Sequence, residues 1–294
     1  MIEVEEHIKN MIDELSYEKA SKLFSKLKGG KRLRAKLIMK IAHTHPQAPK
    51  LAAIVELIHA ASLLHDDVID EALLRRGVES VNATEGSKSA IMLGDILYSK
   101  GFSELVEFDK RIAKTIASSV TSLSIGEMQD VYMSKEFNEN EQKYLDMLYL
   151  KTATLIEAAA SSAAILVGKD ESAYATYGKN LGLSFQIIDD ILDITSDEKT
   201  LGKPALNDYV EGKCTLPYIY LYQELESSDK EYLKSLHVKQ LDKDESSWIL
   251  TKMSEHKCVE KSYKLAQKLS NDAINAIDDE ILVGIVTSMM KRNF

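Results

Sequence analysis

The sequence is poor in the residues that break secondary structure. Its 294 residues include 4 prolines and 13 glycines, about 6 % of the chain against a usual share of about 12 %. That scarcity excludes collagen-like, linker-rich and turn-rich all-β architectures. Two cysteines, Cys214 and Cys258, are too few for a disulfide framework or a Cys-based zinc site, and fit a reduced compartment. No uninterrupted apolar run reaches the ~18–20 residues of a membrane span. The opening MIEVEEHIKN lacks the basic-then-apolar pattern of a secretory signal, so the expected location is cytoplasmic. Positive charge is also short: 37 Lys and Arg stand against 46 Asp and Glu, a net charge of −9. A nucleic-acid partner needs a basic footprint and is not expected. What the chain does have is apolar surface, at 45 % hydrophobic residues, which is enough for a core and argues against global disorder.

Helical periodicity runs through that apolar content. Residues 1–27 place Val4, Ile8, Met11, Ile12 and Leu15 near one face, and Gly29-Gly30 then breaks the pattern before Lys31-Arg32-Leu33-Arg34. Residues 50–74 read as a long helix, apolar almost all round, and therefore central to a bundle. Further helices are expected over about 88–107, 110–134, 141–167 and 172–195. Residues 196–213 read as a long polar loop, and 214–294 as helical again but more polar. No segment alternates with period two, so strands are not expected. Nothing divides the chain by composition, so the expectation is one all-α domain over 1–294.

Two clusters of the form D-D-x-x-D stand out: Asp66, Asp67 and Asp70, then Asp189, Asp190 and Asp193. On a helix, positions i and i+4 share a face, so Asp66 pairs with Asp70 and Asp189 with Asp193. Both clusters are embedded in Leu, Ile and Val. Like charges at that spacing repel, and carboxylates among apolar residues need a cation. A solvated acidic face is the alternative for one cluster, but two such clusters among apolar residues disfavour it. Neither has the glycine or ligand pattern of a calcium loop, and no paired Glu-x-x-His motif suggests di-iron. Carboxylates alone select hard cations, and Mg²⁺ is commonly shared between one or two carboxylates and substrate phosphate oxygens. The reading is a pair of aspartate helices facing each other across Mg²⁺-bound diphosphate.

A diphosphate also needs basic partners. Candidates are Lys31, Arg32 and Arg34 after the glycine pair, Arg75 and Arg76 after the first cluster, Lys151 before an Ala-rich stretch, and Lys199, Lys203 and Lys213 on or beside the 196–213 loop. His59 lies two helical turns before Asp66 on the same face. No phosphate loop of nucleotide-binding proteins is present.

With these residues in view, the sequence resembles the trans-isoprenyl (polyprenyl) diphosphate synthases, of long-chain, octaprenyl type. The matching segments occur in the family's order: GGKRLR at 29–34, IHAASLLHDDVID at 58–70, RRG at 75–77, GD at 94–95, GEMQD at 126–130, KTA at 151–153, FQIIDDILD at 185–193 and GKP…ND…GK at 202–213. The resemblance implies an all-α bundle of isoprenoid synthase type around a deep central cavity, and a homodimer. It implies that Asp66, Asp67, Asp70, Asp189, Asp190 and Asp193 hold Mg²⁺, three ions with substrate bound. It assigns the allylic diphosphate to Arg75, Lys151, Thr152, Gln186 and Lys203, with Lys213 joining on loop closure. It assigns the diphosphate of isopentenyl diphosphate to Lys31, Arg34, His59 and Arg76. Lys151 and Lys203 would share the catalytic role with the aspartates. Ala35 departs from the pattern, since the family often has Pro there.

The implied reaction ionises an allylic diphosphate, adds isopentenyl diphosphate to the cation and loses a proton, repeatedly. Product would pass to membrane enzymes. Ala61 and Ser62 lie about 6–7.5 Å down the helix axis from Asp66. Small residues there leave room for a growing chain, and the expected product is about C40. A terpene cyclase would lack the second D-D-x-x-D and the second basic set. A non-catalytic partner subunit would have lost some aspartates or arginines.

Overall fold

The molecule is described from a computed structural model, covering residues 1–27, 29–195 and 205–291. Among them, sixteen α-helices carry almost all the regular structure. They are α1 (Ile2–Asp13), α2 (Glu18–Ser25), α3 (Leu33–Ile41), α4 (Ala48–Ile69), α5 (Val81–Glu85), α6 (Ser87–Leu105), α7 (Lys110–Met133), α8 (Glu141–Leu148), α9 (Thr154–Val167) and α10 (Glu171–Thr195). After the undescribed stretch come α11 (Asn207–Val210), α12 (Leu216–Glu224), α13 (Ser227–Ser235), α14 (Lys243–Glu255), α15 (Cys258–Asn275) and α16 (Glu280–Met290). A π-helical turn, Tyr149–Ala153, joins α8 to α9. The stretch Glu141–Val167 is long and apolar enough to cross a membrane, but 67 % of its most apolar window is buried in the protein.

The chain divides into two compact units, one of Met1–Ser119 with Ala158–Ala175, the other of Val120–Glu157 with Thr176–Phe294. In the first, α4 packs against α1, α3 and α6. Its apolar residues from Leu51 to Leu64 are buried on nearly every face, as a helix apolar nearly all round requires. Gly101 on α6 lets Ile58 of α4 approach closely: a Cβ there would lie 2.9 Å from Ile58 Cγ1. Gly94 does the same for the His65 ring, whose Nε2 lies 3.1 Å from the Ile91 carbonyl and 3.4 Å from Asp95 Oδ1.

The helix expected over 50–74 stops at Ile69. The Glu71 N–H donates to the Val68 carbonyl at 3.3 Å and the Ala72 N–H to the Asp67 carbonyl at 2.9 Å. This is a Schellman stop, with Glu71 in the left-handed region at φ 50°. The chain then turns through the only strands among the described residues, β1 (Leu74–Arg75) and β2 (Val78–Glu79), paired antiparallel. Arg76 and Gly77 between them have φ of 53° and 74°, the positive pair that a two-residue hairpin loop demands.

In the second unit, a core forms around Ile194, Leu206, Tyr209, Tyr218, Leu233 and Met253. Tyr209 stacks on Tyr218 with ring centroids 4.3 Å apart and donates to the Leu233 carbonyl at 2.6 Å. Part of the loop expected over 196–213 is thus ordered: 207–210 form α11, and Tyr209 anchors it.

Candidate active site

In the first unit, Asp66, Asp67 and Asp70 occupy the last turn of α4, which carries no basic residue. A helix C-terminus bears partial negative charge, the least favourable end for carboxylates. The Arg75 guanidinium answers one of them, its Nε donating to Asp67 Oδ1 at 2.5 Å. Asp67 is buried, and burial pushes its carboxyl above the usual range while Arg75 pulls it back. Asp66 is half-buried and Asp70 exposed.

The basic residues gather nearby. A Cβ on Gly30 would lie 2.5 Å from Arg76 Nη2 and 2.8 Å from Cζ, so the bare glycine backbone provides the surface on which the Arg76 guanidinium lies. Arg32, left-handed at φ 52°, turns to Glu5 at 3.1 Å and to the buried Glu56 at 3.2 Å. Glu56 also accepts the Ala35 N–H at 3.0 Å, capping the first turn of α3. Proline at 35 would remove that donor, which gives the departure from the family pattern a local reason. Arg34 has no such partner: its buried Nε and the Nδ1 of His59 lack hydrogen bonds. Burial, then the charges of Arg34, Arg76, Arg75 and Arg32, holds His59 well below its ordinary pKa. Burial likewise lowers Arg34, partly offset by Glu56 and Asp66. Lys31 is exposed at the rim of the segment. This is positive charge gathered by the fold with buried donors unspent, which suits an anion.

The second unit holds the other cluster, in the last two turns of α10, whose final turn carries no basic residue. Asp189 is exposed, while Asp190 and Asp193 are buried. Asp193 Oδ2 accepts the Asp208 N–H at 3.1 Å. The Tyr144 hydroxyl donates to Asp190 Oδ2, and Gln186 Nε2 donates to Asp190 Oδ1 at 2.9 Å. Burial and the charge of Asp208 raise the Asp190 carboxyl above its usual range, and those two hydrogen bonds restrain the rise. Thr152 Oγ1 donates to Gln186 Oε1 at 3.2 Å.

The π-turn presents Lys151 beside Thr152. Lys151 Nζ lies 2.5 Å from Asp130 Oδ2 and 3.0 Å from Glu127 Oε2. Burial disfavours its charge, but the two carboxylates outweigh burial and raise its pKa. Two glycines allow the packing. A Cβ on Gly126 would come within 2.7 Å of the Leu150 carbonyl carbon, and one on Gly182 within 2.6 Å of the Ala153 Cα. π-Turns recur at functional sites because the extra residue re-aims side chains.

Of the remaining expected residues, Lys213 pairs with Glu211 at 2.8 Å. Lys199 and Lys203 lie outside the described residues. Ala61 is buried, and the buried Ser62 donates its hydroxyl to the His59 carbonyl at 2.9 Å. Sequence reasoning assigned no role to Glu56, Tyr144, Glu127 or Asp130. For the last two, the signal was their i, i+3 spacing beside Gly126. Tyr144 and Glu56 gave none.

No group of three or more potential metal ligands comes together among the described residues. Mg²⁺ is commonly bound by one or two carboxylates together with waters and substrate phosphates. The i, i+4 pairs Asp66 with Asp70 and Asp189 with Asp193, at helix ends that electrostatically call for a cation, are a donor set of that kind.

Comparison with known proteins places these features in a family. The Polyprenyl synthetase family model matches residues 15–253. The octaprenyl pyrophosphate synthase of Helicobacter pylori is 41 % identical in sequence, with a TM-score of 0.93 over 98 % of this chain and 97 % of its own. A polyprenyl synthase of Caulobacter crescentus, solved with calcium and isoprenyl diphosphate, is 28 % identical with a TM-score of 0.88 over 99 % and 94 %. The geranylgeranyl diphosphate synthase of Sulfolobus acidocaldarius is 34 % identical over 89 % of this chain and 83 % of its own. These relatives share the all-α isoprenyl synthase fold. The chain belongs to the polyprenyl synthetase family and is a prenyltransferase of the trans-polyprenyl diphosphate synthase type.

Proposed function

We propose that this chain, working as one synthase domain, condenses an allylic diphosphate with successive isopentenyl diphosphates to an all-trans product of about C40. The observation that carries the reading is the charge arrangement of the first unit. An acid pair at a helix C-terminus is followed directly by a hairpin bearing Arg75 and Arg76, and the unpartnered buried nitrogens Arg34 Nε and His59 Nδ1 stand with the latter. A metal-bound diphosphate ester and a second diphosphate meet those two needs.

Asp66, Asp70, Asp189 and Asp193 would hold the Mg²⁺, three ions per site. Asp67 and Asp190, engaged by Arg75 and by Tyr144 with Gln186, would support them. When bound, Mg²⁺ neutralises charge developing on the leaving diphosphate. Arg75, Lys151, Thr152, Gln186, Lys203 and Lys213 bind and orient the allylic diphosphate. Lys31, Arg34, His59 and Arg76 bind that of isopentenyl diphosphate, so the two reactants are presented in fixed orientation. The allylic C–O bond breaks, the isopentenyl double bond attacks the cation, and a proton leaves to the released diphosphate. The small, buried Ala61 and Ser62 support a long product.

Homodimerisation is supported by Ile125, Met128 and Tyr132, which leave an apolar stripe exposed along α7 at helical spacing. A cytoplasmic enzyme handing product to membrane enzymes completes the proposal. The test is to incubate the purified chain with labelled isopentenyl diphosphate, an allylic primer and Mg²⁺, and to size the products by chromatography. Growth in five-carbon steps to about C40 is expected; no extension refutes the function, and a product that stops short refutes the length.

A further inference from the structure

Tyr144 has so far entered only as a partner of Asp190, yet it heads a continuous series of hydrogen bonds. The Asn140 side chain accepts the Lys143 N–H at 2.9 Å and starts α8, which sets Tyr144 in the first turn, buried to 2 % exposure. Its hydroxyl donates to Asp190 Oδ2, Gln186 Nε2 donates to Asp190 Oδ1, and Thr152 Oγ1 donates to Gln186 Oε1. Four side chains from α8, the π-turn and α10 are thereby ordered together.

The series has a polarity. A carboxylate accepts and a tyrosine hydroxyl can donate, so Asp190 fixed by Tyr144 presents Oδ1 as an acceptor to α10. Gln186 must then turn its nitrogen toward Asp190 and its oxygen toward Thr152. The reverse orientation would set a carbonyl against a carboxylate. The amide nitrogen carries two hydrogens; Asp190 takes one, and the second remains for an anionic oxygen. Gly182 against Ala153 keeps α10 and the π-turn in register, and Lys151 adjoins Thr152, held by Asp130 and Glu127.

We infer that Tyr144 is a positioning residue for the allylic diphosphate: it holds Asp190, which fixes the donor edge of Gln186 and the rotamer of Thr152. The inference rests on the proposed assignment of Gln186 and Thr152 to that substrate. Without the hydroxyl, Asp190 Oδ2 loses this donor, and the carboxylate that orients the Gln186 amide is no longer held from that side.

Tyr144→Phe keeps the ring and removes only the hydroxyl. We expect it to raise the KM for the allylic primer about five- to tenfold, as for a lost hydrogen bond to a charged group, with that for isopentenyl diphosphate changed less than about twofold. Gln186→Met removes the donor directly. In that background Tyr144→Phe should add less than about twofold, because the two residues act in series. Calorimetric titration with inorganic pyrophosphate should show the same pattern of weakening. Equal KM values in wild type and Tyr144→Phe overturn the inference. So does an equal rise in both KM values with a lowered melting temperature, or full additivity in the double variant. If the wild-type chain extends no primer, the functional reading falls, and the pyrophosphate titration alone judges Tyr144: weakening retains its positioning role, and an unchanged affinity overturns it.

Discussion

Gly30→Ala tests the basic site through a residue that touches no substrate. The added Cβ would lie 2.5 Å from Nη2, 2.7 Å from Nη1 and 2.8 Å from Cζ of Arg76, where ordinary contact begins at 3.4 Å. The guanidinium must therefore retreat by 3.4 − 2.5, about 0.9 Å, or rotate away. It is the far end of a flexible, exposed side chain, so the retreat costs the fold little. Gly30 is not in the left-handed region, so alanine brings no backbone strain. A hydrogen bond to a charged group is worth about 1.5–3 kcal/mol. A 0.9 Å displacement forfeits much of it, about 1–2 kcal/mol, or a five- to thirtyfold rise in KM for isopentenyl diphosphate. Steady-state kinetics with each substrate varied in turn, beside a thermal melt, reads both parts of the argument. An unchanged KM for isopentenyl diphosphate would show that the glycine surface does not set the position of Arg76. A large loss of melting temperature would show that the cost falls on the fold instead.

Asp66→Asn and Asp189→Asn should each lower kcat by orders of magnitude with the circular dichroism spectrum unchanged; turnover with ordinary Mg²⁺ dependence in either would remove the aspartates from the reaction. Ser62→Phe should shorten the product seen by chromatography and, as overpacking of a buried position, lower stability by about 1–3 kcal/mol; an unchanged product distribution contradicts the length reading. His59 gives a pH dependence. Its folded pKa lies well below the ordinary 6.5, so below about pH 6.5 the unfolded chain binds a proton that the folded chain does not, and stability falls with pH by at most about 1.4 kcal/mol per unit until the folded pKa is reached. Urea unfolding at pH 7.5 and 5.5 should show a difference that His59→Gln narrows by about 1 kcal/mol; an undiminished difference assigns the effect to other groups.

The dense apolar content from Leu51 to Leu64, broken only by Glu56, His59 and Ser62, made α4 legible, because a helix apolar nearly all round has nowhere to go but the core. Its end was not legible. Helix stops are read from glycine or proline, and here Glu71 fills the left-handed position, held by two backbone hydrogen bonds that any residue could supply. The reading therefore carried the helix to 74 and left Arg75 and Arg76 just beyond its end. The hairpin that follows brings Arg75 back to Asp67, so the error was local. The aspartates and the basic candidates stood out because each lies within a motif a few residues long. Tyr144 and Asp190 are 46 residues apart, as Glu56 and Ala35 are 21, and neither Tyr144 nor Glu56 gave a sign of its role in its own neighbourhood.

The two kinds of charge are held by different means. The carboxylates stand at helix ends, where the backbone adds to their negative potential, and ordinary folding would favour lysine or arginine in that turn. None is there in α4 or α10. Arg32 is spent on Glu5 and Glu56, Arg76 lies against Gly30, and the buried Arg34 Nε and His59 Nδ1 have no hydrogen-bond partner. Arg75 reaches the buried Asp67. On the proposed reading, the aspartates take a cation and the arginines an anion. A metal-bound diphosphate carries both at once, whereas free phosphate or free Mg²⁺ satisfies only one.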